Sequence, residues 1–140
     1  MATRSPARPG TRPVSPHLGI WKWRVNMTVS ILHRVTGSGM GTVGIILLVW
    51  WLAAIAGGAD SYATFANVFT TASGHLNIIG YVIGIGLTLS LFQHMANGVR
   101  HLVLDMGAGY ELKINRIGSY LTFVFSIAMT VLFWLYLGMK

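Results

Sequence analysis

The chain has 140 residues, 54% of them hydrophobic and only 9% charged, with a formal charge of +7. A soluble domain carries roughly a quarter charged residues, so the composition selects lipid over water as the main solvent. With no cysteine, disulfides, thiolate zinc sites, iron–sulfur ligation and thiol nucleophiles are excluded. The basic residues flank apolar runs, so the membrane accounts for them and no nucleic-acid partner is expected.

All four prolines, Pro6, Pro9, Pro13 and Pro16, fall at the start of the chain. Each fixes φ and lacks an N–H donor, which predicts an extended, irregular arm. The arm holds Arg and Ser without acids, in faint likeness to a transit peptide, and has no apolar region of a secretory signal. A basic cytoplasmic arm is the simpler reading. Trp21-Lys22-Trp23-Arg24 follows, with rings suited to the headgroup layer and cations able to reach phosphates. Residues 1–29 are therefore expected to form the arm and an interfacial segment, and residues 30–140 the transmembrane domain.

Three stretches lack Asp, Glu, Lys and Arg: Val35–Ala59, Ser61–Val99 and Ile117–Met139. About 20 apolar residues cross the hydrocarbon core, which predicts helices at about 31–56, 73–104 and 115–138. At the entry of the first helix, Ser30 and Arg34 are i, i+4 with His33 beside them. A hydroxyl and a guanidinium there suit a quinone carbonyl or haem propionates; Arg34 snorkelling to lipid phosphate is the simpler reading of the residues alone. Gly37, Gly41 and Gly44, and later Gly80 and Gly84, put small residues on helix faces for close packing. Residues 57–72 read as an outer loop. Aromatic pairs Trp50-Trp51 and Phe133-Trp134 mark the far interface.

On the second helix His94, Gly98, His101 and Asp105 form one stripe at i, i+4, i+7 and i+11. His94 is roughly 10–15 Å inside the cytoplasmic edge at about 1.5 Å per residue. An ionisable group at that depth is a functional hypothesis by default. Spacing alone leaves two readings open: an axial haem ligand, with Gly98 clearing room for a macrocycle, or a hydrogen bond to a neighbouring helix. His94 and His101 share a face two turns apart and cannot serve one iron. His33, at the helix mouth, reads as too shallow, and His75 starts the second helix at the opposite surface. Any second axial ligand is thus expected from another subunit.

The Lys and Arg residues cluster before the first helix and between the second and third. The positive-inside rule places the N-terminus in the cytoplasm, or the matrix of a mitochondrion, and the C-terminus on the opposite, periplasmic side.

Arg12-Pro13-Val14-Ser15-Pro16-His17-Leu18 and Ser30-Ile31-Leu32-His33-Arg34-Val35-Thr36-Gly37, followed by His94 through Asn97-Gly98-Val99-Arg100-His101 to Asp105, resemble the two signatures of the larger cytochrome b membrane-anchor subunit of succinate dehydrogenase, complex II. The resemblance covers essentially the whole chain. It implies an all-α membrane protein of three transmembrane helices, multi-pass in the bacterial inner membrane, pairing with a second anchor subunit. It implies His94 as axial ligand to the iron of haem b, with the partner anchor supplying the opposite ligand. Ser30 and Arg34 match residues of the ubiquinone pocket, and His33, Arg34 and His101 match positions near the haem propionates. FAD and the iron–sulfur clusters would reside in a flavoprotein subunit and an iron–sulfur subunit. Succinate oxidation to fumarate would occur there, with electrons reaching ubiquinone here. Two other readings are an anchor for fumarate reductase, and a small membrane scaffold or transporter subunit whose histidines only pack.

Overall fold

The computed structural model describes residue 16 and residues 19–139; most of the proline arm, including His17, and Lys140 lie outside the described residues. The chain enters a helix at Val25, after an extended Arg24, and the Trp23 indole donates to Thr28 Oγ1 across the first turn. Helix α1 (Val25–Gly39) runs through a single π-helical turn, Met40–Gly44, into α2 (Ile45–Ala56). Together these form one 32-residue span. It starts about six residues before the predicted boundary. The polar Asn26 and Thr28 in its first turns find partners there instead of marking a loop.

The outer loop is a helix rather than an irregular segment. Gly58, at φ 86°, reverses the chain, and α3 (Ala59–Phe69) follows with Asp60 in its first turn, where a negative charge complements the helix dipole. Phe65 packs edge-on to Trp50 of α2 at 4.9 Å between ring centroids, and Phe69 lies 5.9 Å from the same indole. A tight reversal then delays the second long helix. Thr70 and Leu76 form an antiparallel bridge, Thr71 N donates to His75 O, and Asn77 accepts from Gly80 N at 2.9 Å as the helix cap. Helix α4 therefore spans Ile78–Asp105, five residues later than the predicted start, with His75 in the reversal. Helix α5 (Leu112–Gly138) follows.

Among the described residues three helices are thus long and apolar enough to cross a membrane: Val25–Ala56, Ile78–Asp105 and Leu112–Gly138. At 1.5 Å per residue even the shortest is about 40 Å long, beyond the ~30 Å hydrocarbon core. The packing is inverted relative to a water-soluble bundle. Among the described residues only Val29 and Ala54 are buried hydrophobic ones, whereas Gln93, Asn97, Ser119, Thr122, Ser126 and Thr130 are buried polar ones. In lipid, apolar side chains gain nothing by facing inward, and small or hydrogen-bonding residues hold the helices together. Ser119, Thr122, Ser126 and Thr130 form one buried stripe of α5. Gln93 reaches across, donating to Thr122 Oγ1 (3.3 Å) and accepting from Ser126 Oγ (2.7 Å).

Candidate functional site

One turn of α1 and the lower half of α4 meet at three histidines. The His33 and His94 rings stack with centroids 3.9 Å apart and planes within 9°. His101, two turns along α4, lies 5.4 Å from His33. The early start of α1 puts His33 more than two turns inside the helix, level with His94, so the expectation that it is too shallow is corrected. It still cannot oppose His94 across one iron, because stacked rings at this spacing leave no room for a macrocycle between them.

His94 is held from α1 through Nδ1, which lies 3.1 Å from the His33 carbonyl oxygen and 3.3 Å from Thr36 Oγ1. A carbonyl only accepts, so Nδ1 carries the proton in this arrangement. The Thr36 hydroxyl donates to Leu32 O at 2.7 Å and so presents a lone pair to the same proton. Nε2 is left as the unprotonated ring nitrogen. That is the tautomer a metal-ligating histidine adopts when its other nitrogen is bonded to a backbone carbonyl.

Three further observations describe what surrounds it. A Cβ at Gly98 would meet nothing within 4 Å, so the side of α4 one turn from His94 is not filled by the chain itself. His33 Nδ1 is buried without a hydrogen-bond partner, an uncommon and costly state for a polar atom. Among the described residues no three His, Cys, Asp or Glu side chains converge as a metal-ion cage; the group that suits a lone ligating histidine is a haem, whose macrocycle supplies the other donors. The residues fit such a group: a free Nε2, an open face at Gly98, and an orphaned donor or acceptor at His33.

Ser30 is half-buried and Arg34 exposed on α1. Among the described residues neither is hydrogen-bonded to the histidine cluster, and neither side chain has a hydrogen-bond partner there. Arg100, by contrast, turns inward. Its guanidinium donates to Asn97 Oδ1 (3.2 Å) and, through a short bond, to Asn115 Oδ1. Asn115 Oδ1 also accepts from Asn26 Nδ2 at 2.8 Å, and Ser119 Oγ donates to Asn26 Oδ1 at 3.1 Å. This clamp joins α1, α4 and α5 near the histidines.

Sequence reasoning missed Thr36 and Gly37 as neighbours of His94 and missed the asparagine clamp. The spacing of Ser119, Thr122, Ser126 and Thr130 carries a helical period that could have marked the buried face of α5. The contact of one helix turn with a ring on another has no such signal.

The chain matches the family model described as succinate dehydrogenase/fumarate reductase transmembrane subunit over residues 8–133. It is 35% identical over 123 residues to the succinate dehydrogenase cytochrome b556 subunit of Rickettsia felis, covering 88% of this chain and 90% of that protein. Against the cytochrome b556 subunit of Paracoccus denitrificans the identity is 31% over 123 residues, covering 88% and 89%. Against the cytochrome b560 subunit of Reclinomonas americana it is 36% over 122 residues, covering 87% and 81%. With three membrane-spanning helices, and with matches of this extent, the chain belongs to the succinate dehydrogenase/fumarate reductase transmembrane subunit family.

Proposed function

We propose that the chain is the haem-bearing anchor of a succinate:ubiquinone oxidoreductase, holding half of a haem b site and part of the quinone pocket. It acts as a subunit and has no catalysis alone. The carrying observation is the fixed His94 imidazole, protonated on Nδ1 toward the His33 carbonyl with Nε2 free. The relatives are named cytochrome b subunits, and a histidine of this tautomer is suited to ligate a haem iron. His94 would ligate the iron through Nε2. His33, whose Nδ1 lacks a partner, would hydrogen-bond the propionates together with His101 and Arg34. The opposite axial ligand would come from a second anchor subunit.

A haem bound there supplies a one-electron store near the quinone. Ser30 would donate to a quinone carbonyl, and the Arg34 guanidinium would stabilise negative charge as the ring is reduced. Their place near the start of α1 suits a substrate whose tail needs lipid and whose protons come from water. The flavoprotein and iron–sulfur subunits would oxidise succinate and deliver electrons. The N-terminus would face the cytoplasm and the C-terminus the periplasm of a bacterial inner membrane, since the basic residues gather at the N-terminal side.

Purification in mild detergent tests the reading. A flavoprotein, an iron–sulfur protein and a second small membrane subunit should co-purify with a b-type spectrum and succinate-dependent ubiquinone reduction. A haem-free chain recovered without them would instead support a scaffold whose histidines only pack.

A further inference from the structure

We propose that the α1 turn His33–Gly37 is a seat that sets the rotation of the His94 ring, with Gly37 and Thr36 as positioning residues for the haem ligand. The proposal rests on His94 being that ligand.

The argument starts from space. A Cβ built on Gly37 would lie 2.7 Å from His94 Cε1 and 3.3 Å from Nδ1. The first distance is shorter than any carbon–carbon contact tolerates, so the absence of a side chain at position 37 lets the imidazole lie against the α1 backbone. Other α1-span glycines differ: at Gly39 and Gly41 a Cβ would meet nothing within 4 Å. Gly37 is therefore more than one member of a small-residue stripe.

The remaining contacts hold the ring at its Nδ1 edge, on one face and at its Cε1 edge. The His33 carbonyl and Thr36 Oγ1 take the Nδ1 proton from the same turn. The His33 ring covers one face of the imidazole in a near-parallel stack. Gly37 meets the Cε1 edge. One turn of α1 thus supplies an acceptor pair, a stacking plate and a floor, leaving Nε2 a single direction in which to point. Hydrogen bonds to the outer nitrogen of a ligating histidine orient it and raise its basicity, and basicity of an axial ligand is a lever on haem potential.

Alanine at position 37 must move the ring, since the helix backbone is the stiffer partner. The movement lengthens the Nδ1 bonds and turns the imidazole plane. The fold should survive, because the atom displaced belongs to the end of a side chain.

The test uses the assembled complex carrying Gly37→Ala, Thr36→Val, Thr36→Ser or His94→Ala. It reads haem content per flavin, the largest g value of the ferric low-spin EPR signal, and the haem midpoint potential. Gly37→Ala is expected to shift the g value and raise the potential while succinate oxidation by a soluble acceptor is unchanged. Thr36→Val should raise the potential, and Thr36→Ser should restore it. Wild-type g value and potential in both Gly37→Ala and Thr36→Val would overturn the seat. Should Gly37→Ala fail to assemble, the Thr36 pair decides by the same readings. Loss of haem in His94→Ala alongside silent Gly37 and Thr36 variants would refute only this inference. A b-type signal unchanged in His94→Ala would refute the ligand assignment beneath it.

Discussion

At Arg34 the helix presents a guanidinium to its surroundings, while His33, one residue earlier, packs its ring on His94. Consecutive residues of a helix point about 100° apart, so one turn of α1 serves two neighbours. If Arg34 steadies charge on the quinone, Arg34→Ala should lower ubiquinone reduction roughly 10–100-fold, the equivalent of the ~1.5–3 kcal/mol of a hydrogen bond to a charged group. Ser30→Ala should lower it less, by about tenfold or under, for a neutral bond of ~1 kcal/mol. Both should leave succinate oxidation by a soluble acceptor close to wild type; equal loss of both activities would point to failed assembly. The types and order of these residues were legible in the sequence, but their proposed roles came from the resemblance to the family signatures, since spacing alone leaves His94 open between ligand and helix contact and Arg34 nearer a lipid contact. The depth of His33 was not legible. It depends on where α1 begins, and Asn26 and Thr28 look like loop residues until Asn115 and Trp23 are seen to bond them.

Helices α4 and α5 are joined by hydrogen bonds where a soluble bundle would use leucines. Gln93 bridges Thr122 and Ser126, and Asn115 gathers Asn26 and Arg100 onto one oxygen. Interhelical hydrogen bonds in membranes average ~0.6 kcal/mol, so Gln93→Leu should cost about 1 kcal/mol. Asn115→Leu should cost more, roughly 1–3 kcal/mol, because it takes a shared acceptor from the half-buried Arg100 and Asn26 donors. Thermal unfolding of the detergent-solubilised complex would order the two; an Asn115→Leu complex as stable as wild type would dissolve the clamp. The long helices were readable from uncharged runs and the ~20-residue requirement. Helix α3 escaped because its stretch mixes Ser, Thr and Asn with aromatics, and only the packing of Phe65 and Phe69 on Trp50 decides its conformation. The π-helical turn at Met40–Gly44 also left no mark in the hydrophobic pattern. It inserts one residue into the register and so turns α2 relative to the site-bearing α1.

Taken whole, the molecule exposes its apolar surface and buries its polar groups, as a three-helix membrane subunit should. On the proposed topology, the three spans among the described residues separate the termini, and the excess of Lys and Arg at the N-terminal side would set the direction. A reporter fused after residue 140 should therefore read as periplasmic, and a cytoplasmic signal would reverse the assigned topology. The site likewise has meaning only at this scale. One free Nε2, an open flank at Gly98 and a partnerless His33 nitrogen are, on the proposed reading, half of a pocket that a second subunit would complete. The most direct measurement is the dithionite-reduced minus oxidised absorbance spectrum of the purified complex carrying His94→Ala. The expected result is loss of the b-type bands seen with the unmodified chain; bands of undiminished height at unchanged wavelength would contradict the assignment of His94 as the haem ligand.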